Sequence, residues 1–210
     1  MATPNERQWL DWIQKIRTIA QIGATYSKDP YDLDRFQQLA QISHEMYADI
    51  SNAPLNNVNS LFLPEQGYAT PKVDLRAGVF DGDHILLVRE CSDGGWSLPG
   101  GWADVLESPS QGIIREVKEE SGFDVSAPRL VAIVDRSLHP YHPLLPYHVY
   151  KLFFLCELKS GEPQINVEID AIDFFPRDKI PSLSTDRVLP QDIERLFVAK
   201  QSGTIPVYLD

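Results

Sequence analysis

Two hydrophobic periodicities divide this chain. From about Glu6 to Ala24, Trp9, Ile13, Ile16, Ile19 and Ala20 recur at steps of three and four, the spacing of one helical face. From about Tyr31 to Ile50 the pattern repeats with Phe36, Leu39, Ile42, Met46 and Ile50. Asp29 is placed to cap this second helix, and Pro30 suits its first position. A shorter helical piece is expected over Leu55 to Phe62. Pro64-Glu65-Gln66-Gly67 then breaks the pattern. The expected organisation is a small all-α module over residues 1–67 and a second domain over residues 68–210.

Beyond the boundary the period shortens towards two. Val73 to Phe80 alternates as a strand, Asp81-Gly82-Asp83 reads as a hairpin turn, and Ile85 to Val88 returns. Trp96 to Leu98 is a short strand ending in Pro99-Gly100-Gly101. A helix is expected from about Ser110 to Ser121, stopped by Gly122. Strands follow near Arg129 to Asp135, His148 to Glu157 and Ala171 to Phe175. A last helix spans Val188 to Gln201, with Pro190 in its first turn. Strands interrupted by helices predict a mixed α/β domain.

Composition narrows the function. Apolar residues make up 43% of the 210, enough for a real core, and charged residues 23%. The formal net charge of −11 disfavours DNA and anionic membrane surfaces, which are bound through Lys and Arg. A phosphate-handling role would need metal ions to reverse the sign of the site locally. Cys91 and Cys156 have no metal-ligand spacing and read as reduced thiols. The polar stretch from Met1 to Gln8 has no signal-peptide pattern, and no apolar run approaches the roughly 20 residues of a membrane span. A cytoplasmic protein is the expectation.

The informative stretch runs from Gly101 to Phe123. At about 100° per residue, Glu119 lies roughly 300° and Glu120 roughly 40° around the helix from Glu116. The three carboxylates therefore share one face and repel one another. Divalent cations offset such repulsion naturally, and hard ions prefer carboxylate oxygen. Gly100 and Gly101 allow close backbone approach, so that a carbonyl there can complete the coordination. Glu107, in the loop, and Arg115, in the helix, are spaced to brace one against the other.

Gly101-x5-Glu107-x7-Arg115-Glu116-Val117-x-Glu119-Glu120-x-Gly122-Phe123 resembles the Nudix box with every fixed position filled, and Leu98-Pro99-Gly100-Gly101 before it fits the same family. The resemblance implies an α/β/α sandwich with mixed sheets. It also implies a Mg²⁺- or Mn²⁺-dependent hydrolase of nucleoside diphosphates linked to a moiety X. By the same resemblance Glu116, Glu119, Glu120 and the Gly100 carbonyl are metal ligands, and Glu107, Arg115 and Gly101 shape the box. The segment from Trp9-Leu10-Asp11-Trp12 to Asp29-Pro30-Tyr31-Asp32 is similar to the helical module of bacterial CDP-choline pyrophosphatases. That similarity puts CDP-choline first among substrates and implies a homodimer, although Trp9, Trp12, Ile13 and Ile16 would serve equally to pack on the second domain.

Outside the box the residues leave alternatives. Glu168 precedes a strand and is a candidate general base, or a solvated loop carboxylate. Arg76, Arg89 and Arg136 flank the site as candidate phosphate clamps or as structural residues. His139, His142 and His148 sit in a proline-rich stretch that reads as a lid with His142 towards substrate, a second metal site, or a plain surface loop. Trp96 and Trp102 flank the glycine turn, either to stack on a base or to pack in the core. ADP-ribose, nucleotide sugars, dinucleotides and RNA ends remain open as substrates. A non-catalytic nucleotide sensor is the competing class; it would be expected to lack box carboxylates, and none is missing.

Overall fold

The computed structural model describes residues 5–51, 58, 67–203 and 206–210. The chain forms two compact units. One comprises Met1–Pro71 and Leu144–His148, the other Lys72–Pro143 and Val149–Asp210.

The first unit is built on two helices, α1 (Glu6–Tyr26) and α2 (Pro30–Ser51). Asn5 and Gln8 cap α1 reciprocally, the Gln8 N–H donating to Asn5 Oδ1 at 2.9 Å and the Asn5 N–H to Gln8 Oε1 at 3.2 Å. The Asp29 carboxylate accepts from the N–H groups of Tyr31 (2.8 Å) and Asp32 (3.0 Å), the cap its sequence position predicts. Leu10, Ile13, Tyr47 and Val58 form a small core, with Leu144 of the returning segment packed against it. The short helix expected over Leu55 to Phe62 lies outside the described residues apart from Val58. The inward faces differ from the simplest periodic reading. Ser43 and Tyr47 are buried on α2, whereas Leu39 and Ile42 are exposed, as are Trp9, Trp12 and Ile19 on α1. Both helices carry more apolar surface than one hairpin can bury.

The second unit is a mixed sheet between two helices. Its strands are β1 (Lys72–Asp81), β2 (His84–Glu90), β3 (Trp96–Ser97), β4 (Phe123–Asp135), β5 (Val149–Gly161), β6 (Ile169–Pro176) and β7 (Tyr208–Leu209). They run in the order β3-β2-β1-β5-β4-β7, with β6 also paired to β2. β1 lies parallel to β5, and β7 parallel to β4; the other pairings are antiparallel. The β1–β2 hairpin closes at Asp81↔His84, with Gly82 at φ +53° as the turn demands.

Helix α3 (Pro109–Ser121) covers one face, where Ile113 and Val117 meet Leu75, Ala77, Val79, Leu86 and Phe154. Helix α4 (Pro190–Ser202) covers the other, where Ile193, Leu196 and Phe197 meet Ile85, Leu87, Val131 and Phe153. Adjacent residues of β2 thus enter opposite cores, which explains why the strand reads as an unbroken apolar run. The α/β/α sandwich is the fold the sequence predicts. Strand β4 starts at Phe123 rather than near Arg129, because a register shift between Ser126 and Arg129 accommodates Pro128. Among the described residues no helix is long and apolar enough to cross a membrane.

Candidate functional site

The site is assembled where the glycine turn crosses β1. The Leu75 N–H donates to the Gly101 carbonyl at 2.7 Å, and the Ala77 N–H to the Pro99 carbonyl at 2.9 Å. The turn therefore lies flat on the strand. Gly100 has φ +141°, and a Cβ there would sit 2.0 Å from the Leu75 carbonyl oxygen, so no larger residue fits. A Cβ on Gly101 would approach Glu116 Oε2 to 3.0 Å. The two glycines bring bare backbone against the carboxylates of α3.

Helix α3 holds those carboxylates by both of its ends. Ser108 and Gln111 form a capping box at the start, Pro109 begins the first turn, and Gly122 closes the helix in the left-handed region at φ +79°. Ile113 and Val117 anchor the buried face. On the same side of the helix as Ile113 and Val117, Glu120 is 9% exposed, and its Oε2 accepts the Gly100 N–H at 2.8 Å. Burial pushes the Glu120 carboxyl up to about 8, against the pull of Arg76 and of the Gly100 N–H. Burial also raises Glu116. Glu119 is the exposed member of the three.

Arg115 ties the loop to the helix. Its Nε donates to Glu107 Oε1 and its Nη2 to Glu107 Oε2, both at 3.0 Å, a bidentate pair. Its Nη1 reaches Glu116 Oε1 at 3.0 Å and Glu119 Oε2 at 2.8 Å. With Asp104 Oδ2 also 3.3 Å from its Nη2, one guanidinium compensates four carboxylates. Among the described residues no three His, Cys, Asp or Glu side chains converge as a ready-made metal cage. The donor chemistry nevertheless fits a hard divalent cation. Two carboxylates on one helical face are raised by desolvation, and an added positive charge beside them would relieve that cost.

The residues named outside the box are dispersed. Glu168 is exposed; its N–H donates to Asn166 Oδ1 at 2.8 Å, and Asn166 Nδ2 bonds the Glu119 carbonyl at 2.9 Å. The Glu168 loop is thereby fastened to the last turn of α3. Arg89 has a side chain 40% exposed and pairs with Asp170 at 2.6 Å. His142 is exposed, with its backbone N–H bonded to the Thr185 carbonyl. Arg76 and Arg136 do not fit the role of phosphate clamps, because each is only 6% exposed and bonded to protein acceptors. Arg136 reaches the Pro143 carbonyl and Asp186, and Arg76 reaches Asp74, Ser97 and the Leu98 carbonyl. His139 bonds Asp210 at 2.8 Å, away from any metal-ligand cluster. Trp96 packs edge-on against Phe175 in the core, whereas Trp102 on the turn is 46% exposed.

Sequence reasoning missed three charged residues that border this site: Asp74, Glu90 and Lys151. All three are buried. Glu90 accepts from Arg187 Nε at 2.9 Å and adds to the field that raises Glu120. The available signal was a charge at an inward position of an otherwise apolar strand, V-D-L-R-A for Asp74 and I-L-L-V-R-E for Glu90.

Residues 72–195 match the sequence model of the NUDIX domain, and residues 7–62 that of a UDP-X-like, N-terminal oligomerisation domain. YjhB of Bacillus subtilis (strain 168), provisionally named an ADP-ribose pyrophosphatase, is 43% identical over 91% of this chain and 92% of its own length. The crystal structure of a UDP-X diphosphatase is 33% identical, with a TM-score of 0.63 over 99% of this chain and 100% of that one. That of an ADP-ribose pyrophosphatase from Streptococcus suis 89-1591 is 42% identical, with a TM-score of 0.62 over 67% of this chain and 100% of that one.

The raised Glu120 carboxyl has a consequence for stability. With its folded value about 8 and an ordinary value of 4.5, the folded chain keeps a proton in that window that the unfolded chain releases. Stability of the metal-free protein should fall as pH rises through the window. Thermal melts in EDTA at about pH 5.5 and about pH 8.5 are expected to give the lower Tm at the higher pH, with Mg²⁺ raising Tm more there. Equal Mg²⁺ effects at both values would contradict the burial of Glu120.

Proposed function

The chain belongs to the Nudix hydrolase family, and from that premise we propose that it cleaves the diphosphate bond of a nucleoside diphosphate joined to a second moiety. The products are a nucleoside monophosphate and the phosphorylated moiety. The observation that carries this reading is the clasp between the glycine turn and α3, which sets Glu116 and Glu120 beside bare backbone. All box carboxylates are present, which favours catalysis over nucleotide sensing.

Nudix hydrolases use divalent metal ions. Glu116, Glu119, Glu120 and the Gly100 carbonyl would hold Mg²⁺ or Mn²⁺, which supplies charge neutralisation for the diphosphate and acidifies water. The chain's own residues do the rest. Glu107 and Arg115 fix the loop to the helix, so the carboxylates stay aimed at one point. Glu168, fastened to α3 through Asn166, is assigned as the base that accepts the proton of the attacking water. Arg89 is assigned to a substrate phosphate. Its exposed pairing with Asp170 contributes little, so a phosphate can compete for the guanidinium. His142, exposed on its loop, is the second substrate contact.

The N-terminal similarity puts CDP-choline first as substrate. The names of the relatives bring ADP-ribose and UDP-linked compounds to the same rank. A second copy of the chain is the proposed cover for Trp9, Trp12, Ile19, Leu39 and Ile42, in line with the matched oligomerisation domain. A solution mass at micromolar concentration should be that of a dimer, and a monomer mass removes this part of the reading.

The main test is hydrolysis of CDP-choline, ADP-ribose and UDP-glucose in Mg²⁺ or Mn²⁺, with products identified by mass. Turnover is expected for at least one substrate, abolished by EDTA. Glu120→Gln should lower it at least ~10²-fold, as a lost metal ligand would. Glu168→Gln should also be slow; near-normal turnover would reject its role as base.

A further inference from the structure

Behind the glycine turn lies a buried charge cluster that the proposed chemistry does not use. Asp74 and Arg76 point from β1 into the core on the α4 side, and the parallel register of β1 and β5 sets Asp74 opposite Lys151. The side chains of all three are 7% exposed or less. Arg76 Nη2 bonds Asp74 Oδ1 at 2.8 Å and Nε bonds both Asp74 oxygens at 3.2 Å, while Lys151 Nζ bonds Asp74 Oδ2. The other arm of the guanidinium faces the turn: Nη1 donates to the Leu98 carbonyl at 3.1 Å and to Ser97 Oγ at 3.3 Å.

Stability alone does not account for such a cluster, because well-packed apolar side chains serve as well as or better than buried ion pairs. Its placement does. Leu98 begins the turn whose Gly100 N–H holds Glu120 Oε2 at 2.8 Å. Only a planar fork spans Asp74 on one side and a carbonyl on the other; an ammonium is a single point.

We propose that Arg76 is a positioning residue of the hydrolysis: anchored by Asp74, it sets the Ser97–Gly100 turn and so the place of the Glu120 carboxylate, without touching the substrate. This rests on the reading of Glu120 as a catalytic metal ligand. Arg76 acts on the reaction through the turn, in the way that a small misplacement behind an active site costs rate without costing binding.

The test compares Arg76→Lys, Glu120→Gln and the double variant in Mg²⁺, after thermal melts show that each is folded. Arg76→Lys keeps the buried charge and loses the fork. Its kcat should fall at least ~10-fold with KM within ~3-fold. Its affinity for Mn²⁺ without substrate, read by electron paramagnetic resonance, should weaken several-fold. The double variant should be no more than ~3-fold slower than Glu120→Gln, since both changes act on one group. Asp74→Asn carries the same expectation for kcat and KM, and takes the place of Arg76→Lys if that variant does not fold. A raised KM with kcat intact would make Arg76 a substrate clamp and overturn the proposal. So would a lowered Tm with both constants unchanged, or full additivity in the double variant. Near-normal turnover by Glu120→Gln alone would bring down the site reading itself, and this inference with it.

Discussion

Glu120 carries a carboxylate to a place that water barely reaches, with the Gly100 N–H 2.8 Å away as its direct donor. The desolvation outweighs that bond and the field of Arg76, so the ionic form is costly there and the metal-free group keeps its proton well above the ordinary carboxyl range. The rest of the site is organised around this cost. Gly100 must be glycine for its N–H to arrive, Leu75 and Ala77 must hold the turn flat, and α3 must present its acidic face at the same level. A cation placed there meets oxygen ligands that are already partly stripped of water.

The fold supplies rigidity on both sides of that point. α3 is fixed by its capping box, its Gly122 terminus and the burial of Ile113 and Val117. β1 is fixed between β2 and β5, and its alternate residues do different work. Leu75, Ala77 and Val79 pack beneath α3, while Asp74 and Arg76 build the charged layer behind the turn. The same strand thus holds the helix that bears the carboxylates and the backbone that meets them. Arg115 completes the arrangement from the solvent side by linking Glu107, Glu116 and Glu119.

Much of this was legible in the sequence because it is local. Glu116, Glu119 and Glu120 share a face by helical geometry alone, and Glu107 and Arg115 lie within one loop and helix. The Gly82 hairpin and the Asp29 cap carry their own short-range chemistry. What could not be read depends on long-range pairing. Asp74 meets Lys151 only because β1 and β5 run parallel in register. Arg76 and Arg136 look like free cations along the chain and become buried only when the core closes over them. Strand β7 is two residues long, too short for an alternating pattern. The faces of α1 and α2 were ambiguous because both helices are apolar on more than one side.

The central claim is that the clasp of the glycine turn on α3 is where divalent ions act. Crystals equilibrated with Mn²⁺, measured for anomalous scattering at the manganese edge, test it most directly. The account predicts a peak within about 2.5 Å of Glu116 and Glu120 carboxylate oxygens and of the Gly100 carbonyl. A peak held by other side chains, with none at α3, would contradict it.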